Sequence, residues 1–164
     1  MLFRSPNDIN FNYFLRSFVI TGANMGGKST YMRQNAIIIL LSHIGSHVPA
    51  DFAKIGNFDK IFTRIGSCDD LANSNSTFML EMKEMSDILS KATENSFILI
   101  DEIGRGTGYF DGKSLAFSII KYLVEVKKSF FLFSTHFHDL HLVCDIFSSI
   151  DNIYFIVLEE LNDL

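Results

Sequence analysis

A glycine-rich loop near the start of the chain reads Gly22-Ala23-Asn24-Met25-Gly26-Gly27-Lys28-Ser29, with the spacing G-x-x-x-x-G-K-[ST]. Small residues let successive backbone N–H groups point into one concavity, where no Cβ blocks a phosphate oxygen. Lys28 can reach the β- and γ-phosphates of a nucleotide, and the Ser29 hydroxyl can ligate Mg²⁺. An apolar run before the loop and a helical pattern after it disfavour a chance glycine-rich turn. The loop therefore predicts nucleotide binding, with the phosphates at a helix N-terminus.

Length and composition indicate one intracellular domain with a sizeable core. The chain has 164 residues, of which 48% are hydrophobic and 17 are phenylalanine. The net charge of -5 argues against a free-standing nucleic-acid binder, although a motor whose DNA-contacting parts lie elsewhere would fit it. Cys68 and Cys144 lack the spacing of a zinc site, which indicates reduced thiols. With no signal peptide and no apolar run of membrane-spanning length, we expect a cytoplasmic protein and no membrane partner.

Strand and helix patterns alternate along the chain, which predicts an α/β fold with a largely parallel sheet flanked by helices. The predicted strands are residues 18–21, 60–65, 97–100, 130–133 and 153–158, and the predicted helices are 28–44, 77–91 and 113–125.

Two of the helices carry a further expectation. The first is apolar nearly all round at residues 36–41, so it should be buried on more than one side. The second has Met79, Met82 and Met85, followed by Ile88 and Leu89, at helical spacing, which predicts a core-packing stripe.

An acid pair and a histidine each follow a predicted strand, at the edge where parallel sheets bind ligands. Asp101 would hold Mg²⁺ beside Ser29, and Glu102 would orient or deprotonate an attacking water. His136 could hydrogen-bond a γ-phosphate or that water. The alternatives are an ordinary solvated strand end for the acids and a half-buried structural histidine. A zinc site of His136 with the histidines at 138 and 141 is a weak alternative, because no nearby cysteine completes it.

Four segments resemble those of MutS-type DNA mismatch repair ATPases, in the family's order over about residues 20–145. They are its Walker A at 21–34, its signature segment at 69–72 and 76–82, its Walker B and D-loop at 101–107 and 111–112, and its switch-histidine segment at 133–140. The resemblance implies a P-loop NTPase of ABC type, ATP and Mg²⁺ as cofactors, and composite ATP sites in a dimer.

The resemblance also assigns roles to single residues. Ser76 would reach the γ-phosphate of the nucleotide held by a second, MutS-like subunit, although it can also be read as a helix N-cap. The remaining nucleotide contacts would come from the loop residues, Asn24 among them, from Thr30, and from Phe3 stacking on adenine. Lys28, Glu102 and His136 would be catalytic, and Ser29 and Asp101 would hold the metal.

Residues 1–164 are expected to form a MutS-like ATPase domain that is truncated at both ends relative to the family. Ala23 stands where the family usually has proline, and Gly108 and Tyr109 replace a Ser-Thr pair. We expect Mg·ATP hydrolysis that drives mismatched-DNA handling through domains absent from this sequence, with downstream mismatch-repair proteins as partners. The alternatives are a nucleotide-binding switch that barely hydrolyses and a protein-interaction remnant. A chromosome-cohesion ATPase is disfavoured, because the sequence lacks long heptad arms.

Overall fold

The computed structural model of the chain describes residues 7–23, 26–65 and 74–156, without the side chains of 74–77. These residues form five parallel strands in the order β2-β3-β4-β1-β5. The strands are β1 (Ser17–Gly22), β2 (Lys60–Ile65), β3 (Ser96–Asp101), β4 (Phe130–Ser134) and β5 (Ile150–Phe155). The main helices are α1 (Lys28–His43), α2 (Ser74–Lys91) and α3 (Tyr109–Tyr122), followed by a π-helical turn (Leu123–Lys127), a 3₁₀ turn (His138–Leu142) and α4 (Val143–Ile146). The α/β prediction with a parallel sheet is confirmed.

The sheet is covered on both faces, because successive strand side chains point in opposite directions. Phe18 and Ile20 of β1 pack with Tyr31 and Met32 of α1 on one face, whereas Val19 belongs to the core under α2 and α3. Every residue of β1 and β3 is buried. Burial on both faces explains why these strands read as continuous apolar runs.

The expectation that α1 is buried on more than one side is wrong. Its inner face packs on the sheet, but Ile37 and Leu40 on its outer face are 52% and 53% exposed, and Ile44, the C-cap residue, is 70% exposed. In the described part of the chain, no further layer lies outside this helix, so its apolar composition exceeds what the fold buries.

The second helix also departs from its prediction, because it begins at Ser74 instead of residue 77. Ser76 therefore lies within the first turn and is not the N-cap. Met79 is 69% exposed, although Met82, Met85, Ile88 and Leu89 pack against the core as predicted. A helical period that buries positions 85 and 88 brings positions 78 and 81 to the inward face, and Met79 lies to its side.

The third helix begins four residues earlier than predicted, and its apolar face is confirmed. Ala116, Ile119 and Ile120 are buried, and Leu115 packs beside them. The last strand is shifted three residues towards the N-terminus, because the pairing of β1 with β5 runs from Ser17↔Ile150 to Gly22↔Phe155. It forms one edge of the sheet. None of the described helices has the length and apolarity needed to cross a membrane.

Candidate functional site

The carboxyl ends of three neighbouring strands place the glycine-rich loop, Asp101, Glu102 and His136 along one edge of the sheet. β4 lies between β1 and β3, and Ser134 at its end is in register with both Ile20 and Asp101. A cleft of about 390 Å³ opens at this edge. It is lined by Ala23, Gly27, Lys28, Ser29, Thr30, Glu102 and Arg105. The strand ends thus converge as the sequence predicts.

The glycine-rich loop leaves β1 at Gly22, where the fold requires glycine. Gly22 has φ +128°, and a Cβ there would collide with the carbonyl oxygen of Phe155 on β5. Beyond it, the N–H of Gly26 donates to the carbonyl of Ala23 at 3.1 Å. The loop then enters α1, whose first turn includes a 2.9 Å hydrogen bond from Tyr31 N–H to Gly27 O. The helix N-terminus therefore opens directly on the cleft.

The Lys28 side chain is buried within the loop, at 5% exposure. Its Nζ donates to the carbonyl oxygens of Gly22 at 2.6 Å and Ala23 at 3.0 Å, and it lies 3.9 Å from Glu102 Oε1. Burial lowers the pKa of Lys28, and the negative charge of Asp101 opposes that shift. A cation held by neutral carbonyls at the floor of a cleft is available to an anion that enters it.

The two acids at the end of β3 have different surroundings. Asp101 is buried and accepts a hydrogen bond from Ser134 Oγ. Glu102 has a left-handed backbone at φ 54°, and its N–H donates to Ser134 O at 3.2 Å. Only the Glu102 carboxylate lines the cleft. The sequence prediction missed the role of Ser134, because Ser134 neighbours Asp101 only through the order of the strands in the sheet.

Arg105 is the second residue that the sequence prediction missed. Its guanidinium contacts the Glu102 carboxylate, and its side chain is about half exposed at the cleft. In the sequence, Arg105 is marked only by its position three residues after Glu102 at a strand end. The two charges meet because the chain turns between them. Glu102 thus lies between two cations, Lys28 and Arg105.

His136 follows β4 but is not among the side chains that line the cleft. It is partly buried, and its ring centroid lies 4.0 Å from that of Phe137. Within the described ranges, its buried Nδ1 has no hydrogen-bond partner. Burial lowers the pKa of His136, and the charges of Arg105, His138 and Lys28 lower it further. The imidazole is therefore neutral near pH 7 and keeps a polar atom unused beside the site.

Several predicted contacts fall outside the described residues: Phe3, Asn24, Met25 and the side chain of Ser76. The weak zinc alternative gains no geometric support. Across residues 7–23, 26–65 and 74–156, no three His, Cys, Asp or Glu side chains are grouped as metal ligands would be.

The family model described as MutS domain V matches residues 18–164. The match contains the glycine-rich loop, both acids at the end of β3, and His136.

Proposed function

The chain belongs to the MutS family through domain V, its C-terminal ATPase domain, and we propose that it binds and hydrolyses Mg·ATP as an ABC-type ATPase core. The family's context is DNA mismatch repair, and domain V takes part in dimerisation there. The observation that carries the proposal is the convergence of a buried lysine, a glycine-rich loop and the Glu102 carboxylate at one cleft, with Asp101 buried at the end of the same strand. The cations and the helix N-terminus at the cleft suit a nucleoside triphosphate better than an uncharged ligand.

In this proposal the loop and Lys28 bind the phosphates. The backbone of residues 22–29 and the N-terminus of α1 favour negative charge at the cleft. Lys28 Nζ now donates to the carbonyls of Gly22 and Ala23, and it would turn those hydrogen bonds towards phosphate oxygens. A charge-assisted bond to phosphate is stronger than one to a neutral carbonyl, so the exchange favours binding.

The metal would be held by Ser29 and Asp101, whose oxygens are the ligand type that Mg²⁺ prefers. Bound Mg²⁺ would neutralise charge that develops on the phosphates during hydrolysis. Ser134 donates a hydrogen bond to Asp101 and fixes the carboxylate at the strand end. This support from a neighbouring strand is the arrangement that holds metal ligands in place.

The Glu102 carboxylate would orient the attacking water and accept its proton. His136, neutral because its pKa is lowered, would donate a hydrogen bond to the γ-phosphate, and its buried, unpartnered Nδ1 would have to turn towards the cleft to make that bond. Both groups would act at the same edge of the sheet as the phosphate loop.

A second subunit, most simply another copy of this chain, would complete each site. Ser76, in the first turn of α2, would contact the nucleotide held by that partner, and Phe3 would stack on adenine. Mismatched DNA and downstream repair proteins would be contacted through other domains of the intact protein. The ATPase would supply conformational change to those domains.

One observation favours a second candidate, a nucleotide-binding switch that barely hydrolyses. The Glu102 carboxylate is already engaged by Arg105 and lies 3.9 Å from Lys28 Nζ. A base held between two cations is a weaker proton acceptor, since both charges stabilise its ionised form. In this candidate, binding of nucleotide would not lead to turnover.

Nucleotide affinity of the full chain tests the binding step. Lys28→Ala should weaken Mg·ATP binding by roughly 10- to 100-fold, since a charge-assisted phosphate contact is worth about 1.5–3 kcal/mol. Lys60→Ala is the matched control, because Lys60 begins β2 at the opposite edge of the sheet and donates to Lys91 O. Equal affinity of wild type and Lys28→Ala would refute the phosphate-loop assignment.

Turnover separates the two candidates. Glu102→Gln should keep ATP affinity and lower steady-state hydrolysis by roughly 10²- to 10⁴-fold, the usual contribution of a general base. Glu94→Gln, in the turn before β3, is the control and should change neither quantity. A wild-type protein that binds Mg·ATP tightly without turnover would support the switch instead of the ATPase.

A further inference from the structure

A buried carboxylate in α2 has no role in the cleft described above. Glu81 is 5% exposed, whereas Lys83 and Glu84 beside it on the helix are exposed. Charged side chains are almost never buried unless they are paired, so the surroundings of Glu81 must compensate its charge. Burial raises the pKa of Glu81 and the charge of Arg64 opposes that shift.

Glu81 joins three elements through one oxygen. Its Oε1 lies 3.4 Å from Arg64 Nη2 near the end of β2, and it accepts a 3.2 Å hydrogen bond from the backbone N–H of Gly104. The same arginine places Nε 3.0 Å from Glu84 Oε2, at an angle that does not make a hydrogen bond. Glu81 is therefore tied both to the sheet and to the β3–α3 turn (residues 102–108).

That turn has little room to move. Gly104 has φ +85°, and a Cβ there would lie 2.9 Å from Gly112 Cα in α3. A Cβ on Gly106 would lie 3.0 Å from Phe78 Cβ in α2. The turn is packed closely against both helices, so a displacement of α2 has to displace the turn or break these contacts.

The turn also carries two of the charges of the cleft. Glu102 is its first residue, and Arg105 follows Gly104 directly. The hydrogen bond from Gly104 N–H to Glu81 is thus two residues from the proposed base and one residue from the arginine that contacts it. That bond is therefore placed where it can affect the position of the Glu102 carboxylate.

We infer that Glu81 is a positioning residue, which sets the place of Glu102 by holding the β3–α3 turn against α2. The inference rests on the proposed ATPase function and adds a route by which α2 controls it. The amino end of α2 is the part of the chain that the proposed dimer places at the second nucleotide. Nucleotide bound there would change the position of Glu102 in this subunit through the contact between Glu81 and Gly104.

The test removes the acceptor without leaving an unpaired buried charge. The double variant Glu81→Leu with Arg64→Met replaces the ion pair by apolar groups of similar size, a change that is often neutral for folding. It should lower kcat for ATP by roughly 10- to 100-fold, since small misplacement of a catalytic group costs that much. Nucleotide affinity should stay within about twofold, because neither residue touches the cleft.

Two single variants show which property of Glu81 matters. Glu81→Gln keeps an oxygen that can accept from Gly104 N–H and should restore most of kcat. Glu84→Leu is the matched control, because Glu84 also contacts Arg64 but is exposed and remote from the turn. Equal kcat in the double variant and wild type, or equal losses in kcat and affinity, would overturn the inference.

Amide hydrogen exchange gives a readout that does not need turnover. Exchange in residues 102–108 should rise in the double variant and stay at the wild-type rate in Glu84→Leu. If the wild type has no ATPase activity, the proposed function fails, yet faster exchange in this segment still supports the tie between Glu81 and the turn. Unchanged exchange in a folded double variant would refute it.

Discussion

Two glutamates at the same turn have opposite environments: Glu102 is its first residue, and Glu81 accepts a hydrogen bond from it. Glu102 lines an open cleft between Lys28 and Arg105, on a left-handed backbone. Glu81 is buried in a regular helix and is paired with Arg64 and a backbone N–H. Glu102 is open to a ligand that enters the cleft, whereas Glu81 is almost fully enclosed. Residue type alone therefore does not distinguish a candidate base from a group proposed to position it.

The largest expected effect compares the arginine partner of each glutamate. Arg64→Met leaves Glu81 as a buried, uncompensated charge and should lower the free energy of unfolding by about 3–5 kcal/mol. Arg105→Met removes a half-exposed partner of Glu102 and should cost about 0–1 kcal/mol. Urea denaturation of both variants measures the difference. Equal losses would mean that the two ion pairs are energetically alike, and the comparison would fail.

Ligand binding should stabilise the protein through the cleft alone. Mg·ATP at about 100 times its Kd should raise the free energy of unfolding by about 2.7 kcal/mol. We expect that increment in the wild type and in Glu81→Gln, and we expect it to fall to about 0.4–1.4 kcal/mol in Lys28→Ala at the same nucleotide concentration. Thermal unfolding with and without nucleotide provides the measurement. Loss of the increment in Glu81→Gln would place Glu81 in the binding site and contradict its positioning role.

Backbone strain should distinguish the two positions more weakly. The left-handed conformation costs a non-glycine residue about 1–2 kcal/mol, which glycine avoids. Glycine in turn lowers the free energy of unfolding by about 0.5–1 kcal/mol, because its unfolded chain has more conformational entropy. Glu102→Gly should therefore raise the free energy of unfolding by about 0.5–1 kcal/mol while abolishing hydrolysis. Glu81→Gly, in a helix interior, should lower it. A destabilised Glu102→Gly variant would show that the side chain holds the turn.

The smallest effect is a pH dependence of stability that has opposite sign for His136 and for Glu81. The pKa of His136 is lowered from its ordinary value of 6.5, so its contribution to stability is present above about pH 6.5 and is lost as pH falls through the lowered pKa. The pKa of Glu81 is raised from 4.5, so its contribution is present below about pH 4.5 and is lost as pH rises through the raised pKa.

Unfolding free energies measured between pH 4 and pH 8 check both signs. His136→Asn should remove the rise of stability with pH in the upper window, and Glu81→Gln should remove the fall in the lower one. Unchanged pH profiles in both variants would mean that neither group titrates differently in the folded and unfolded states.

The amino-acid sequence by itself determined the elements that depend on neighbouring residues. The spacing from Gly22 to Ser29, the apolar run before Asp101 and the helical periods are all contiguous, so they predict a parallel α/β sheet and the site at its carboxyl edge. The sequence predictions failed where a local apolar pattern does not show whether another part of the protein packs over it. The apolar outer face of α1, with Ile37 and Leu40, gave no sign that it would face solvent.

The tertiary structure alone decided which distant groups meet. Ser134 contacts Asp101 because strand order places β4 beside β3, and Arg105 contacts Glu102 because the chain turns sharply after the strand. Arg64, Glu81 and Gly104 lie far apart in the sequence and come together only when β2, α2 and the β3–α3 turn pack against one another. Local sequence fixes backbone period and loop chemistry, whereas the partner of a buried charge depends on three-dimensional packing. The loop proposed to bind phosphate could therefore be identified from its residues, whereas the carboxylate proposed to position the base could not.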